Sequence, residues 1–110
     1  MNGENPFALH GTYVNPLFQS EVDATIKDHP ELSDKLQKTR NIGAANWIDS
    51  MAAIAKIEPI LKGAQDAGKG ELAMFVIYDL PNRDCSAGSS NGEILCEDNS
   101  CSQGLNTYRT

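Results

Sequence analysis

The longest apolar run in the chain predicts a buried strand over residues 72–78. Its seven residues, Leu-Ala-Met-Phe-Val-Ile-Tyr, are apolar or aromatic without polar alternation. Such a run is typical of a strand that is covered on both faces of a parallel sheet. Pro81 ends it, because proline has no N–H to donate to a ladder. A second, weaker strand is predicted over 42–48.

Between these strands, apolar residues recur at the spacing of one buried helix face: Ile54, Ile57, Leu61 and Ala64. Pro59 disfavours a single helix across 50–67, since an interior proline costs about 3 kcal/mol. The pattern therefore predicts a helical turn followed by a helix that begins near 56–59. Residues 42–78 then form one βαβ unit, so the predicted fold class is α/β with parallel strands.

Residues 1–18 are predicted to form an extended, turn-rich lead-in packed on the domain, which would occupy 19–110. Asn5-Pro6 and Asn15-Pro16 are the turn signals. A complete parallel barrel needs about 250 residues. Residues 104–110 also resemble a helix start without a stop signal. We therefore expect the N-terminal part of a larger barrel, poorly stable alone because strand edges are left unpaired.

Charge narrows the classes of partner. The net charge of −6 and the absence of a polybasic run argue against a nucleic acid and against an anionic membrane surface. No apolar run approaches the roughly 18 residues that span a bilayer. The first residues lack the basic and apolar regions of a signal peptide.

Three cysteines fall within one short region: Cys85, Cys96 and Cys101. Cys96 and Cys101 could close a small disulfide loop, which would leave Cys85 without a partner. Zinc binding is the alternative, although there is no Cys-x-x-Cys pair and no nearby histidine. A disulfide implies an oxidising compartment and hence secretion.

Polar and aromatic residues follow both predicted strands. If the strands are parallel, Trp47 and Asp49 lie at the same end of the sheet as Tyr78, Asp79, Arg83 and Asp84. An aromatic plane beside carboxylates and donors is suited to a sugar ring. Carboxylates also perform acid–base chemistry on glycosidic bonds. The pattern therefore predicts a carbohydrate site.

The octet Tyr-Asp-Leu-Pro-Asn-Arg-Asp-Cys at 78–85, followed by Ser-Asn-Gly-Glu at 90–93, resembles the signature of glycoside hydrolase family 6. This family contains cellobiohydrolases and endoglucanases, which cut β-1,4-glucan with inversion. The segments Trp-Ile-Asp at 47–49 and Asn-Pro-Phe at 5–7 are similar to further family motifs. The resemblance covers residues 5–110 and implies the first third of a distorted α/β barrel.

The resemblance implies catalytic roles for four residues. Asp84 matches the aspartate near the scissile bond that supports the general acid and has been considered as a base. Tyr78 matches a tyrosine at the sugar that becomes distorted, and Arg83 an arginine that keeps Asp84 charged. Ser90 matches a serine that positions water. Two residues match positions that contact the sugar: Trp47 and Asp49.

In the family the general acid is an aspartate on the loop after the next strand, which lies beyond residue 110. Inversion requires two carboxyl groups roughly 6.5–9.5 Å apart. We therefore expect negligible hydrolysis by the 110 residues alone, and clear turnover of a soluble cello-oligosaccharide by them would contradict this. The resemblance implies cellulose or cello-oligosaccharides as substrate, a monomer, and no metal or cofactor. It also implies that Cys85 bonds a later cysteine.

Several of these residues have simpler interpretations. Trp47 could belong to a core, and Asp49 could cap a helix. Asp79 is expected to form an ion pair with Arg83. Glu93 is interpreted as a solvated loop carboxylate, and Asn-Gly at 91–92 as a turn.

Two other functions compete with hydrolysis. One is a carbohydrate-binding remnant without catalysis, which would use Trp47 and Tyr78. The other is a small redox or metal-binding domain built on the three cysteines.

Overall fold

The computed structural model describes residues 3–110, which divide into two compact units. One unit consists of residues 3–46 together with Glu58–Met74, and the other of Trp47–Ile57 together with Phe75–Thr110. The helices are α1 (Pro6–Leu9), α2 (Pro16–Asp28), α3 (Ser33–Arg40), α4 (Ile57–Ala67) and α5 (Ser102–Arg109). The strands are β1 (Asn46–Ile48) and β2 (Phe75–Ile77).

The start of the chain is less extended than predicted. Asn5 and Asn15 are the N-caps of α1 and α2, and each accepts a bond from the N–H two residues later at 3.0 Å. The proline that follows each cap occupies the first helical position, where a missing N–H costs nothing. Asn-Pro therefore begins a helix at both places. The predicted boundary between a lead-in over residues 1–18 and a domain over residues 19–110 stays a prediction.

The first unit contains a small core and one bidentate ion pair at its surface. Its buried apolar side chains are Tyr13, Val22 and Ala64. The Arg40 guanidinium on α3 donates to both carboxylate oxygens of Asp23 on α2, at 2.7 and 2.9 Å. This bidentate geometry fixes the two helices against each other.

The two strands pair in parallel, as predicted, but both are shorter than predicted. The Asn46 N–H donates to the Met74 carbonyl at 2.9 Å, and the Tyr78 N–H donates to the Ile48 carbonyl at 2.9 Å. Since both partners advance in the same direction, the pair is parallel. Leu72 does not extend β2, because it forms an isolated parallel bridge with Thr12 instead.

The connection between the strands confirms the prediction drawn from Pro59. A 3₁₀ helix covers Met51–Lys56, and α4 begins at Ile57. Pro59 is thus the third residue of α4, in the first turn, where a proline removes no intrahelical bond. Gly68, with φ of +66°, follows the end of α4 in the left-handed conformation that ends many helices.

The second unit buries Ile48, Ala53 and Ile94. A disulfide joins Cys96 to Cys101, with 4.5 Å between their Cα atoms, which confirms the predicted pairing. The helix predicted near residue 104 is α5. Within residues 3–110, no helix is both long and apolar enough to cross a bilayer.

Gly63 offers a direct test of packing in the first unit. A Cβ at this position in α4 would collide with the hydroxyl oxygen of the buried Tyr13. We expect Gly63→Ala to lower the free energy of unfolding by about 1–3 kcal/mol, the usual cost of overpacking. Denaturant unfolding followed by circular dichroism measures it.

The control for this prediction is the Tyr13→Phe background, which lacks the offending oxygen. The nearest ring atom would then be the ring carbon Cζ, at 3.3 Å. There Gly63→Ala should cost clearly less. An equal cost in both backgrounds would contradict the proposed collision.

Candidate active site

Parallel pairing brings two aromatic rings together at the ends of β1 and β2. The centroids of the Trp47 and Tyr78 rings lie 5.1 Å apart, with 82° between the ring planes. This edge-to-face arrangement is favourable for aromatic pairs. Trp47 is 56% exposed, so its interpretation as a core residue is wrong. The exposed indole leaves an apolar surface available for a ligand.

Asp84 lies beside this aromatic pair and accepts two hydrogen bonds on one oxygen. The Tyr78 hydroxyl donates to Asp84 Oδ2, and the Ser90 hydroxyl donates to the same oxygen at 3.0 Å. The Arg83 guanidinium carbon lies 4.5 Å from the centroid of the Tyr78 ring, within cation–π range. The structure thus brings together five of the predicted site residues: Trp47, Tyr78, Arg83, Asp84 and Ser90.

These contacts determine which groups are charged. The hydrogen bond from Tyr78 is the main cause that lowers the pKa of Asp84, followed by the bond from Ser90, and the Arg83 charge adds to it. The same bond, with burial, raises the pKa of Tyr78. Near neutral pH the site therefore holds an aspartate anion and a phenol that donates to it.

The backbone of this loop is unusual at the residues that carry these groups. Asn82, Asp84 and Ser90 have φ of 59°, 52° and 61°, in the left-handed region. Asn and Asp enter this region more readily than other side chains, whereas serine has no such advantage. Such conformations persist only where the surroundings hold them in place.

Asn82 and Gly92 supply part of that support. The Asn82 N–H donates to the Ile94 carbonyl at 2.8 Å, and its side-chain oxygen accepts from the Cys96 N–H at 3.3 Å. A Cβ on Gly92 would lie 2.8 Å from Arg83 Cγ. Gly92 is therefore needed for the close approach of Arg83, and not for a left-handed turn.

Asp49 follows β1 and is exposed, with the Ser50 hydroxyl 3.4 Å from its Oδ1 atom. Ser50, and not Asp49, occupies the N-cap position of the following 3₁₀ helix. The interpretation of Asp49 as a helix cap is therefore wrong.

Asp79 differs from its sequence-based interpretation, and Glu93, an exposed loop carboxylate as expected, makes an additional contact. Asp79 is 5% exposed, and neither of its carboxylate oxygens has a hydrogen-bond partner, so the expected ion pair with Arg83 does not form. Glu93 is exposed, yet it accepts a hydrogen bond from the Met51 N–H. The local sequence contained no signal for this contact, since the partner is a backbone group 42 residues away.

The remaining cysteine, Cys85, is exposed and carries a free thiol. Among residues 3–110, no three His, Cys, Asp or Glu side chains are grouped so as to hold a metal ion.

Comparisons with known proteins agree with these motifs. The sequence profile of the glycosyl hydrolases family 6 matches residues 7–110. A probable exoglucanase from Podospora anserina is 33% identical over 115 residues, which cover 96% of this chain and 26% of that protein. Endoglucanase-6B from Humicola insolens is 30% identical over 114 residues, which cover 96% of this chain and 32% of that protein.

Solved structures are similar as well. The catalytic core domain of the cellobiohydrolase Cel6A from Chaetomium thermophilum matches with a TM-score of 0.76 at 30% identity, over 97% of this chain and 31% of that one. The endoglucanase Cel6B from Humicola insolens matches with a TM-score of 0.75 at 28% identity, over 97% of this chain and 32% of that one. The chain spans about a quarter to a third of the length of these relatives.

Removal of the phenol hydroxyl tests the electrostatic description of Asp84. In Tyr78→Phe we expect the pKa of Asp84 to rise, because the largest cause of its lowering is lost. A depressed folded pKa stabilises the protein above the unfolded value of about 3.9 and loses that effect as the pH falls through the folded value, so the variant should lose less stability on acidification. A carbon-13 titration of the Asp84 carboxyl measures the shift.

Tyr108→Phe is the matched control, since Tyr108 is a partly exposed tyrosine on α5. It should leave the titration of Asp84 unchanged. An unaltered Asp84 titration in Tyr78→Phe would contradict the assignment.

Proposed function

The chain belongs to glycosyl hydrolase family 6, and we propose that it supplies the N-terminal part of the catalytic domain of a cellulase that hydrolyses β-1,4-glucosidic bonds with inversion. The observation that carries this proposal is the cluster of Tyr78, Asp84 and Ser90 beside the exposed ring of Trp47. The whole domain would be a distorted α/β barrel, of which β1, α4 and β2 are one repeat.

In this proposal Asp84 acts as an anion near the scissile bond. Two hydroxyl donors and the nearby Arg83 keep it ionised. Its negative charge stabilises positive charge that develops on the sugar, and it raises the pKa of a neighbouring carboxylic acid, which can then donate a proton to the leaving oxygen. The general acid itself would be an aspartate outside these 110 residues.

Tyr78 and Ser90 share Oδ2 of Asp84, so the other oxygen, Oδ1, accepts from neither hydroxyl. We propose that this oxygen faces the attacking water or the acid. In this proposal the Ser90 hydroxyl, which donates its proton to Oδ2, accepts a hydrogen bond from the same water. The attacking nucleophile is water, and these roles need no cofactor.

Trp47 would supply the platform for one glucose ring, because pyranoses present an apolar face to an indole. Asp49, exposed next to it, would accept hydrogen bonds from the sugar hydroxyls. The relatives include both an exoglucanase and an endoglucanase, so the proposal extends to cellulose chains and to cello-oligosaccharides without a choice between end and internal cleavage.

We also propose that the enzyme is secreted and acts as a monomer. The Cys96–Cys101 disulfide supports secretion, because such bonds persist in oxidising compartments.

Asp84 gives the first test. In the complete catalytic domain that contains this segment, Asp84→Asn should lower the turnover of a soluble cello-oligosaccharide by about 10²–10⁴-fold, since an amide carries no negative charge. Binding of the same oligosaccharide, measured by calorimetry, should change little. Full turnover in this variant would contradict the role of Asp84.

The matched control is Asp98→Asn. Asp98 also has a pKa lowered by a serine hydroxyl, that of Ser100 at 2.7 Å, but it lies within the disulfide loop. This variant should keep normal turnover. If the complete catalytic domain that contains this segment binds the oligosaccharide but does not turn it over, in the parent form and in the control, the alternative of a carbohydrate-binding protein without catalysis is correct.

Trp47 gives the second test. Trp47→Ala should raise the dissociation constant for a cello-oligosaccharide by about tenfold, which corresponds to 1.4 kcal/mol of lost contact. Calorimetry measures it. The control is Phe7→Ala, since Phe7 is similarly exposed, at 61%, but lies on α1 of the other unit. Equal affinities in the two variants would contradict a platform at Trp47.

A further inference from the structure

Asn82 joins the loop of the candidate site to a segment that follows the loop. Its N–H donates to the Ile94 carbonyl at 2.8 Å, and its Oδ1 atom accepts the Cys96 N–H at 3.3 Å. Ile94 is 3% exposed, so one of these two partners belongs to the buried part of its unit. The two bonds therefore fasten the beginning of the loop 83–93 to the residues just after its end.

The loop 83–93, closed in this way, carries much of the chemistry of the candidate site. It contains Asp84 and Ser90, whose hydroxyl donates to Asp84 Oδ2 at 3.0 Å. Both residues have left-handed backbone within a run of turns and bends. They keep this conformation only while their surroundings hold it. The bonds made by Asn82 at the base of the loop supply such a constraint.

Cys96 is held in turn by the beginning of α5. The disulfide joins Cys96 to Cys101, the N-cap residue of α5, with 4.5 Å between their Cα atoms. The Cys101 carbonyl accepts the Leu105 N–H at 2.9 Å, so the cross-link ends on a residue that takes part in the hydrogen bonding of the helix. The partner of Asn82 is therefore attached covalently to a regular element.

Gly104 keeps α5 in close contact with the same segment. It is buried, and a Cβ at this position would lie 2.9 Å from the Leu95 carbonyl oxygen. A backbone oxygen cannot swing aside as the end of a flexible side chain can, so a larger residue would displace the segment. Leu95 and Cys96 are thus held against α5 by close packing as well as by the disulfide.

We propose that Asn82 is a positioning residue for Asp84 and Ser90, and that the Cys96–Cys101 disulfide fixes the segment to which Asn82 binds. The disulfide then supports the geometry of the candidate site, in addition to stabilising the fold. The effect on the loop depends only on the fold, whereas its effect on hydrolysis rests on the proposed function.

Two demands meet at Asn82, and substitutions can separate them. Its φ of 59° requires a residue that accepts left-handed backbone, which asparagine, aspartate and glycine do. The Cys96 N–H requires an acceptor, which asparagine and aspartate offer and glycine does not. Asn82→Gly therefore removes the side-chain contact without straining the backbone, and Asn82→Asp keeps both.

Asn82→Gly in the complete catalytic domain that contains this segment tests the side-chain contact. Hydrogen exchange of the Cys96 amide should become about tenfold faster, because its acceptor is lost. The kcat for a soluble cello-oligosaccharide should fall by about tenfold, since Asp84 and Ser90 are less well placed. The dissociation constant should stay unchanged, because Trp47 lies on β1 and outside the loop.

Asn82→Asp is the matched control for this variant, and it should restore both the slow exchange and the kcat. Unchanged exchange or unchanged kcat in Asn82→Gly overturns the proposal. An exchange rate in Asn82→Asp that is as fast as in Asn82→Gly overturns it as well.

The double variant Cys96→Ser with Cys101→Ser tests the disulfide. The groups that lower the pKa of Asp84 are Tyr78, Ser90 and Arg83. A loosened loop weakens their contacts, so a carbon-13 titration of the Asp84 carboxyl should move to higher pH. A disulfide that only stabilised the fold would leave this titration unchanged in the folded variant, and that result overturns the proposal.

Asp98→Asn is the control for the double variant, since it alters a side chain within the disulfide loop and keeps the bond. It should leave the titration of Asp84 unchanged. If the double variant does not fold, Gly104→Ala asks the same question with the disulfide intact, because its Cβ displaces Leu95. The Asp84 titration should again move to higher pH, and no movement overturns the proposal.

The proposal and the proposed function fail separately. If exchange and titration change as expected but the complete domain in its parent form does not hydrolyse a cello-oligosaccharide, the positioning stands and the proposed function fails. If the parent form hydrolyses it and Asn82→Gly does so equally well, the function stands and the positioning fails.

Discussion

The parallel pairing of β1 with β2 is the constraint on which the candidate site depends. In a parallel pair both chains leave the sheet at the same edge, so Trp47 and Tyr78 meet although they lie 31 residues apart. An antiparallel pair would place these rings at opposite ends. Asp84 and Ser90 then reach the same place through hydrogen bonds, because Tyr78 has already been positioned by its backbone bond to Ile48.

Two aspartates five residues apart show how strongly position decides chemistry. Asp84 accepts from two hydroxyls and has a lowered pKa, whereas Asp79 is buried without donors and has a raised pKa. Enzymes that need one charged and one protonated carboxyl separate them by environment in this way. Here the two pKa values shift in opposite directions on either side of Pro81.

Much of this structure could be predicted from the sequence, and the failures have physical causes. The βαβ order, the helix start near Pro59 and the Cys96–Cys101 bond follow from local signals. The strand ends do not, because Leu72 pairs with Thr12 at a distance of 60 residues. The contact of Glu93 could not be predicted for the same reason, since the partner of this exposed loop carboxylate is a remote backbone N–H. Asn-Pro was read as a turn, although the same dipeptide begins a helix when the following residues can continue it.

The left-handed backbone at Ser90 restricts which side chains can replace serine there. Threonine offers the same donor, but its second branch at Cβ crowds the neighbouring carbonyl in this conformation. Asparagine and glycine fit the backbone and lose the hydroxyl. Serine is the smallest side chain that combines this backbone with a hydroxyl donor to Asp84, so few substitutions would keep both the conformation and the hydrogen bond.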